Sequence, residues 1–430
     1  MKTGTLCLAV TALLATACNS TPEISLQQVG TGFARTTANT CVFRGSSIAS
    51  NNEWRATAFY DSESFINIAW QKTGSDEWTV TRTQYQGKTS DAHDIISLAI
   101  DGKGYLHVAF SMHSSPMLYC RSIEPYSSVL GPLENMVNAD EEQKATYPEF
   151  HRLSNGDLIF FYRNGASGNG NLVLNHYCLD KGQWERVQDV LIDGEGLRNA
   201  YPQMYVDAKD VIHLSWVWRE TPKVETNHDM CYACSRDAGK TWQRTDGTAY
   251  QMPINAESAE YACLIPQCSE LMNQTSMTSD SEGHPYIATY WRDADSKVPQ
   301  YRLVWHDGAN WQSSQVGNLT TEFTLAGGGT KKVPISRPQV AVNGNGVFFI
   351  FRAEEFGSVV SAFHTASLKD TKWTRYDLTD FSVESWEPTL DRDALKRDGS
   401  IAVFVQRTAQ GDGEKMAECP PQPVYVMDVK

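Results

Sequence analysis

Cationic side chains recur at the ends of apolar strands in this sequence. Each such strand follows a turn rich in Gly, Asp or Asn, and the strand before the turn opens with a polar or aromatic residue. The strand-end cations are His113, Arg163, Arg219, Arg292, Arg352 and Arg407, and the strand-opening residues are His93, Tyr147, Tyr201, Gln274, Arg337 and Trp386. A tight turn places the start of the first antiparallel strand beside the end of the second, so both sets should meet on one face. That face is predicted to bind anions.

This mixture of side chains suits β-elimination at a uronic acid. Arg presents a planar fork that binds a carboxylate, and neutral His is a suitable base near neutral pH. Tyr can pass a proton to a departing glycosidic oxygen. His93, His113, Tyr147 and Arg163 come from consecutive units and should point at one place, so we expect them to be the functional residues.

Other residues of the same face are expected to contact the sugar. The predicted substrate-binding residues are Tyr201, Arg219, Arg292, Arg337, Asn164 and Asn169. The two asparagines lie in YRNGASGNG (162–170), whose glycines allow the backbone to approach a ligand closely. An ordinary hairpin loop is the alternative for this segment, and interblade salt bridges are the alternative for Arg292, Arg352 and Arg407.

The elements that must position these residues form one repeat. The turn and its following strand recur as GYLHVAF from Gly104, GDLIFFY from Gly156, DVIHLSW from Asp210 and GVFFIF from Gly346. Seven units of about 50 to 70 residues are typical of propeller blades. The segment SRDAGKTW (235–242) reads as an Asp-box hairpin, and eroded copies follow other blades. We predict an all-β, seven-bladed β-propeller with degenerate Asp-box repeats.

Composition and charge narrow the partners. The chain of 430 residues is 41% apolar with 12 Trp, as expected of a folded β-rich protein, and its net charge is −14. This acidity argues against nonspecific binding to nucleic acid or to an anionic membrane. We expect an anionic polysaccharide as the partner, no cofactor for the chemistry, and a monomer.

The N-terminus is predicted to be an export signal. Lys2 precedes an apolar run that ends at Ala17, and Cys18 follows small residues as at a bacterial lipoprotein cleavage site. We expect a lipoprotein signal over 1–17, lipidation of Cys18, a tether over 18–27 and a catalytic propeller over 28–430. The protein would then lie at the cell surface or in the periplasm, with membrane contact only through the anchor. A plain secretory signal is the alternative.

The remaining cysteines leave two alternatives open. Disulfides can form in an exported protein, although their pairing cannot be read from sequence. His228, Cys231 and Cys234, joined by Cys263 or Cys268, could instead hold a structural Zn²⁺. Cys231 and Cys234 are three residues apart on a predicted strand and should point to opposite faces, which favours buried thiols or a disulfide.

Three stretches resemble a known family. They are SLAIDGKGYLHVAFSMHSSPMLYCRS from Ser97, TYPEFHRLSNGDLIFFYRNGASGNGNLVLNHY from Thr146, and NAYPQMYVDAKDVIHLSWVWRET from Asn199. Together they are similar to the BNR-4 repeat family, which includes seven-bladed propeller lyases acting on ulvan and related rhamnose–glucuronate glycans. The resemblance implies that His93 and His113 are the paired histidines, Tyr147 the acid or base, Arg163 the carboxylate neutraliser and Tyr201 a further sugar contact.

Two other functions compete with a lyase. A sialidase-type hydrolase also uses Asp-boxes and an arginine cluster, but FRG (43–45) is a poor substitute for the Arg-Ile-Pro segment of that class. A non-catalytic glycan-binding propeller is the third hypothesis. The exact polysaccharide, the uronate epimer and the choice between internal and terminal cleavage stay open from sequence.

Overall fold

The fold is an all-β propeller of seven blades, as predicted. The structure is a computed structural model that describes residues 22–369 and 372–430. The first strand, β1 (Ile24–Gly32), belongs to the last blade. Blade 1 contains β2 (Ile48–Ser50), β3 (Trp54–Tyr60), β4 (Phe65–Lys72) and β5 (Trp78–Gln86). Blade 2 contains β6 (Ile96–Ile100), β7 (Leu106–Phe110) and β9 (Tyr119–Arg121). The short strand β8 (His113–Ser115) lies between β7 and β9 in the chain but outside their sheet.

The next three blades are four-stranded antiparallel meanders. Blade 3 contains β10 (Ala145–Arg152), β11 (Leu158–Ala166), β12 (Asn169–Cys178) and β13 (Gln183–Ile192). Blade 4 contains β14 (Asn199–Val206), β15 (Ile212–Arg219), β16 (Asn227–Ser235) and β17 (Glu260–Cys263). Blade 5 contains β18 (Ser276–Ser279), β19 (Pro285–Trp291), β20 (Gln300–His306) and β21 (Trp311–Gln315).

The last two blades complete the ring. Blade 6 contains β22 (Gln339–Asn343), β23 (Gly346–Phe351), β24 (Ser361–Thr365) and β25 (Thr374–Asp377). Blade 7 contains β26 (Ile401–Gln406), β27 (Gln422–Val429) and β1 in the order β1-β27-β26. One α-helix, α1 (Arg392–Asp398), precedes β26, and three 3₁₀ turns cover Val42–Arg44, Val224–Thr226 and Glu354–Phe356. Among the described residues, no helix has the length and hydropathy needed to cross a bilayer.

The N-terminal strand closes the ring. β1 pairs antiparallel with β27, from Ile24 opposite Val429 to Gly32 opposite Gln422. This pairing covers the edge of β27, which would otherwise be left open. The prediction of a tether over 18–27 is therefore wrong for its last four residues, because Ile24–Gln27 belong to β1. Cys18 and the predicted signal lie outside the described residues.

The segment around Thr40–Gly45 also contacts the chain that leads into the last blade. The backbone oxygen of Thr40 accepts a hydrogen bond from the Glu387 amide at 3.1 Å. The Val42 amide donates to Glu387 Oε2 at 3.0 Å. These bonds bring Phe43 to the propeller axis, where it contacts residues of blades 2 and 3.

Asp-box and strand-centre residues serve packing. Asp237 accepts hydrogen bonds from the Thr241 amide at 2.9 Å and its hydroxyl at 2.7 Å, and Trp242 is buried in the apolar cluster between blades. His107 and His213 are buried in equivalent positions of blades 2 and 4. The Nδ1 atom of each ring lies 2.7 Å from a tyrosine hydroxyl, that of Tyr119 or Tyr232. The Nε2 atom of each ring lies 3.3 Å from an aspartate carboxylate, that of Asp101 or Asp207. These contacts show that both histidines serve packing within their blades.

The inner strands connect two different ends of the axis. β10 begins near Tyr147 and ends at Arg152, whose backbone oxygen accepts a hydrogen bond from Lys396 of α1. Arg392 of α1 forms an ion pair with Glu149 on the same strand. α1 therefore covers the end of the axis that lies away from Tyr147, and the chemistry-bearing residues lie at the other end.

Candidate active site

One cavity at the open end of the axis gathers most of the residues predicted from sequence. It has a volume of about 290 Å³. The predicted residues that line it are His93, His113, Tyr147, Arg163, Tyr201, Arg219 and Arg337. A larger cavity of about 490 Å³ lies beside α1 at the opposite end, but its lining contains none of these residues.

His93 and His113 form a stacked pair that shares one carboxylate. Their ring centroids are 3.9 Å apart and their planes differ by 16°. His93 Nδ1 lies 2.8 Å from Asp91 Oδ1, and His113 Nδ1 lies 2.6 Å from Asp91 Oδ2. Because each Nδ1 donates to Asp91, each Nε2 keeps its lone pair for a substrate proton.

Local chain geometry explains how these three residues meet. Asp91 also accepts the His93 backbone N–H at 2.9 Å, which folds the DAHD segment into a turn. His113 comes from β8, a strand that leaves its own blade and pairs with β10 of blade 3. This departure brings His113 across to the carboxylate of Asp91.

The same contacts set the charges of the pair. Burial alone would raise the pKa of Asp91, but hydrogen bonds from His113 and His93 outweigh it and hold that pKa well below its ordinary value. Burial lowers the pKa of His93, and repulsion from His113 adds to this, although Asp91 acts in the opposite direction. His93 is therefore neutral at neutral pH, the state that a general base requires.

Tyr147 lies next to this pair on the cavity floor. It adopts a left-handed backbone conformation with φ of 59°, at the irregularity between Thr146 and Glu149 in β10. A non-glycine residue in this region is strained and is held there by its surroundings. Its ring centroid is 5.7 Å from that of His93 and 5.1 Å from that of Phe43.

The Tyr147 hydroxyl is held in its protonated form. Burial raises its pKa above the ordinary value, the neighbouring Tyr201 adds to the rise, and Arg163 and Arg219 reduce it. A protonated phenol between a His pair and an Arg can donate a proton to a leaving oxygen.

Arg163 is the cavity arginine with spare hydrogen-bonding capacity. It is 3% exposed, its guanidinium lies 4.9 Å from the Tyr147 ring centroid, and it donates to Thr146 Oγ1 at 3.0 Å and to Ser114 Oγ at 3.4 Å. Its Nε is buried without a hydrogen-bond partner among the residues that the structure describes. Arg163 also lines the cavity and pairs with no carboxylate of the described residues, so its guanidinium can bind the carboxylate of an incoming ligand.

The other cavity arginines are already engaged. Arg337 forms a two-point ion pair with Glu387, at 2.7 Å from Nε to Oε1 and 2.5 Å from Nη2 to Oε2. Arg219 donates to the backbone oxygens of Thr221 and Pro222 and to Asn273 Oδ1. Both can still touch a ligand from the cavity wall, but neither resembles Arg163 in its unpartnered state.

Tyr201 joins the wall beside Arg219. Its hydroxyl lies 2.8 Å from Ser167 Oγ and 3.4 Å from Arg219 Nη1. Its ring centroid is 6.0 Å from that of Tyr147. The second YP segment of the sequence thus places its Tyr beside the first.

Three predicted substrate-binding residues lie elsewhere. Arg292 pairs with Glu270 at 2.5 Å and donates to the Cys268 backbone oxygen at 2.8 Å, which draws its side chain away from the cavity. Asn164 and Asn169 lie on the hairpin that joins β11 to β12, outside the cavity lining. The prediction that Arg292, Asn164 and Asn169 lie beside the other site residues is therefore wrong.

Two further strand-end cations are also engaged outside the cavity. Arg352 is buried and donates to the Val333 backbone oxygen, and Arg407 pairs with Glu384 at the surface. Of the six strand-end cations that were expected to gather at one site, three line the cavity, namely His113, Arg163 and Arg219.

The geometry at His228 does not favour a zinc site. Its Nε2 lies 2.8 Å from Glu220 and its Nδ1 lies 2.9 Å from Asp229, so both ring nitrogens are already hydrogen-bonded. Burial raises the pKa of the Cys231 thiol, which opposes the thiolate that zinc requires. All eight cysteines in the described part of the chain are free thiols.

The group with metal-like spacing within the described residues is Asp91, His93 and His113. Here each Nδ1 lies at hydrogen-bond distance from its own Asp91 oxygen. The rings are also stacked, whereas a metal ion binds in the plane of each ring. We therefore describe this group as a hydrogen-bonded pair of histidines.

Several cavity residues were not anticipated from sequence. Phe43, Glu414 and residues 328–331 line the cavity. Asp91 is outside the lining and holds the histidine pair through its two carboxylate oxygens. The acidic residue two positions before His93 was a usable signal for Asp91, because Asp commonly bonds the backbone two residues on. Residues 328–331 lie in a long loop, where only the run of glycines marks a special backbone.

Comparison with known proteins identifies the family. A family model described as "BNR repeat-containing family member" matches residues 54–319. The chain belongs to the BNR repeat-containing family. The match covers the blades that supply the histidine pair, Tyr147 and Arg163.

Two curated relatives of this BNR-repeat protein are ulvan lyases. The ulvan lyase of Alteromonas sp. (strain LOR) is 24% identical over 266 residues, which cover 52% of this chain and 53% of the relative. The ulvan lyase of Nonlabens ulvanivorans is 22% identical over 271 residues, which cover 54% and 56%. The alignments thus span about half the length of these relatives.

Solved structures share the fold of this BNR-repeat protein. A PL25 ulvan lyase matches with a TM-score of 0.70 at 16% identity, over 94% of this chain and 96% of that structure. The same scores apply to a PL25 ulvan lyase bound to -[GlcA(1-4)Rha3S]-. The polysaccharide lyase Uly1 matches with a TM-score of 0.65 at 16% identity, over 90% of each chain.

Proposed function

We propose that this protein is a polysaccharide lyase that cleaves beside a uronic acid by β-elimination, in an ulvan-like or other rhamnose–glucuronate glycan. The observation that carries the proposal is that Arg163, which pairs with no carboxylate of the described residues, lines the same cavity as the histidine pair and Tyr147. The ulvan lyase relatives support this reaction class.

The proposed reaction begins at the uronate carboxylate. Arg163 binds this group and stabilises the negative charge that develops when C5 loses its proton. Nε2 of His93 or His113 takes the proton, with Nδ1 held by Asp91. The electron pair left at C5 forms a double bond to C4.

The second half of the reaction releases the leaving sugar. The bond from C4 to the glycosidic oxygen breaks, and the Tyr147 hydroxyl gives its proton to that oxygen. The imidazolium then returns its proton to solvent and the tyrosinate regains one. One C–O bond and one C–H bond have broken, and the new chain end carries an unsaturated uronate.

A sialidase-type mechanism has less support. Arg44 of the FRG segment is buried, and its guanidinium donates to the backbone oxygens of Ile96, Asn39 and Ala58. It is therefore occupied by the fold and does not reach the cavity. Glycan binding without cleavage is the remaining alternative and is an outcome of the test below.

The direct test is incubation with ulvan and a panel of other uronate-containing polysaccharides. The expected result is ultraviolet absorbance from an unsaturated uronate, with its mass confirmed in the products. Tyr147→Phe should bind the same polysaccharide without producing the signal. Binding without cleavage by the unaltered protein would instead favour a glycan-binding propeller.

We also propose that the protein is exported and anchored by a lipid on Cys18. The sequence before Cys18 supports this proposal. Mass analysis of the mature N-terminus should find a diacylated cysteine, and Cys18→Ala should release the protein from the membrane fraction. An unmodified N-terminus at another position would indicate a plain secretory signal.

A further inference from the structure

We propose that this cavity accepts the end of a polysaccharide chain, so that cleavage is exolytic. The inference rests on the proposed lyase function and specifies which part of the substrate enters. It follows from a ring of hydrogen-bonded loops around the cavity mouth, which we call the collar. The collar consists of residues 113–115, 165–168, 221–225, 327–331 and 411–414.

The first part of the collar joins blades 2, 3 and 4. Ser114 Oγ donates to the Gly165 backbone oxygen at 3.1 Å, which links the blade 2 loop to the blade 3 hairpin. Gly168 of that hairpin abuts the next loop, since a Cβ on it would lie 3.3 Å from Pro222 Cδ. These contacts leave little room between neighbouring loops.

The second part crosses from blade 4 to blade 7. Residues 327–331, which we call the strap, lie between β21 and β22. The Val224 amide donates to the Gly327 backbone oxygen at 2.9 Å, and the Gly327 amide donates to Glu225 Oε2 at 2.8 Å. Gly327 and Gly329 have φ values of 78° and 75°, a conformation that favours glycine.

The far end of the strap is fixed to blade 7. The Thr330 amide donates to Glu414 Oε1 at 2.6 Å, and the Gly413 amide donates to the Thr330 backbone oxygen at 2.8 Å. The Lys332 amide donates to Asp412 Oδ1 at 3.2 Å. The strap is therefore held at both ends and passes beside blades 5 and 6.

The collar closes at the histidine pair. Glu414 Oε1 lies 3.4 Å from His93 Nδ1, and Asp91 connects His93 to His113 at the start of the collar. Among the residues that the structure describes, the collar thus runs around the mouth in a complete circuit.

A closed circuit changes how a polymer can enter. An internal sugar of a long chain needs two exits from its binding site, one for each direction of the chain. The cavity volume of about 290 Å³ is just below the range of roughly 300–1,000 Å³ for ligand pockets. A chain end needs one opening only, so it can enter inside the collar and bring its uronate to Tyr147 and Arg163, which line the cavity.

The test compares viscosity with bond cleavage. During digestion of a long uronate polysaccharide, we expect absorbance from unsaturated uronate to rise while viscosity falls slowly, with short oligosaccharides as the first products. A steep loss of viscosity at low conversion, with long intermediates, would overturn exolytic cleavage and leave the lyase function standing.

Variants test whether the strap is responsible. Glu225→Ala combined with Asp412→Ala removes an anchor at each end of the strap and should raise the share of long products several-fold. Glu322→Ala, an exposed residue of the same loop, is the matched control and should leave the product pattern unchanged. An unchanged pattern in the double variant would contradict the role of the strap.

A binding measurement separates this inference from the proposed function. If no polysaccharide in the panel yields an unsaturated uronate, the lyase proposal fails. Binding stoichiometry can then be measured with fractions of different chain length at equal uronate concentration. One protein bound per chain, whatever its length, supports recognition of chain ends, and binding that rises with chain length overturns it.

Discussion

The imidazole rings of His93 and His113 lie parallel with their centroids 3.9 Å apart, and both donate through Nδ1 to Asp91. Burial lowers the pKa of His93, and repulsion from His113 adds to this. The shared carboxylate fixes both rings in the tautomer that presents Nε2. This relationship assigns Asp91 a positioning role for either candidate base.

The first prediction concerns Asp91→Asn. We expect kcat/KM to fall about 10²-fold or more, because the rings lose the group that fixes their tautomer. The bond from Asp91 raises the pKa of His93, so its removal should also move the acidic limb of the pH profile to lower pH. Steady-state rates across pH measure both effects.

Asp157→Asn is the control for this change. Asp157 accepts a hydrogen bond from His176 at 2.9 Å, outside the cavity. This variant should keep both the rate and the pH profile of the unaltered protein. A rate loss in Asp91→Asn with no movement of the acidic limb would indicate structural damage rather than altered positioning.

The second prediction concerns the pH dependence of the unaltered protein. A base must be neutral to accept a proton, so kcat/KM should rise with pH through the pKa of His93 and then level off. Burial holds this pKa below the ordinary value of about 6.5, so the midpoint of the rise should lie below that pH. A midpoint above 6.5, with the protein still folded at each pH by circular dichroism, would exclude His93 as the base.

The third prediction concerns Tyr147→Phe. Loss of the hydroxyl would remove the proposed proton donor for the leaving oxygen, and kcat should fall about 10²- to 10⁴-fold. Substrate affinity should change little, because the ring and its packing remain. Tyr85 lies in β5 of blade 1, and its hydroxyl donates to the Gly131 backbone oxygen. The control variant Tyr85→Phe should retain full activity. Comparable activity in the two variants would rule out Tyr147 as the acid.

The fourth prediction concerns Arg163→Gln. Because Arg163 would bind the carboxylate and stabilise charge at C5, kcat/KM should fall about 10²- to 10³-fold. Arg407→Gln tests the same substitution at a strand-end cation that pairs with Glu384 at the surface and should be nearly neutral. Equal losses would mean that Arg163 has no special role at the site.

The repeat made the propeller readable from sequence. Each blade encodes its hairpin locally, through an apolar strand and a turn, and residues at strand starts and ends then follow from antiparallel geometry. Tyr147 and Arg163 illustrate this. Tyr147 lies near the start of β10, Arg163 lies near the end of β11, and the two strands form one hairpin. The closure by β1 was not readable, because its partner β27 is distant in the chain and ISLQQVGTG has a weak strand pattern.

Contacts between blades were harder to predict than contacts within them. The meeting of Asp91 with His113 depends on β8 pairing with β10 of the next blade. Arg292 has the same strand-end position as Arg163, but Glu270 in a neighbouring loop binds its side chain. The strap has no regular secondary structure, so only the folded chain reveals that it lies at the rim of the cavity.

The fifth prediction concerns the buried ion pair of Arg337 and Glu387. Burial alone would raise the pKa of Glu387, but Arg337 outweighs it and holds that pKa below the ordinary value. Glu387→Gln leaves the Arg337 charge buried without its partner, and we expect the free energy of unfolding to fall by about 3–5 kcal/mol. Urea unfolding followed by tryptophan fluorescence measures this loss.

Two comparisons give this loss its meaning. Glu418→Gln breaks the exposed pair with Arg35 and should change the free energy of unfolding by about 0–1 kcal/mol. The double variant Arg337→Met with Glu387→Gln removes both charges and should be less destabilised than Glu387→Gln alone, because the cost arises from one unpaired buried charge. A double variant that is less stable than the single one would show that the pair itself, rather than the unpaired cation, holds blades 6 and 7 against the Thr40–Gly45 segment.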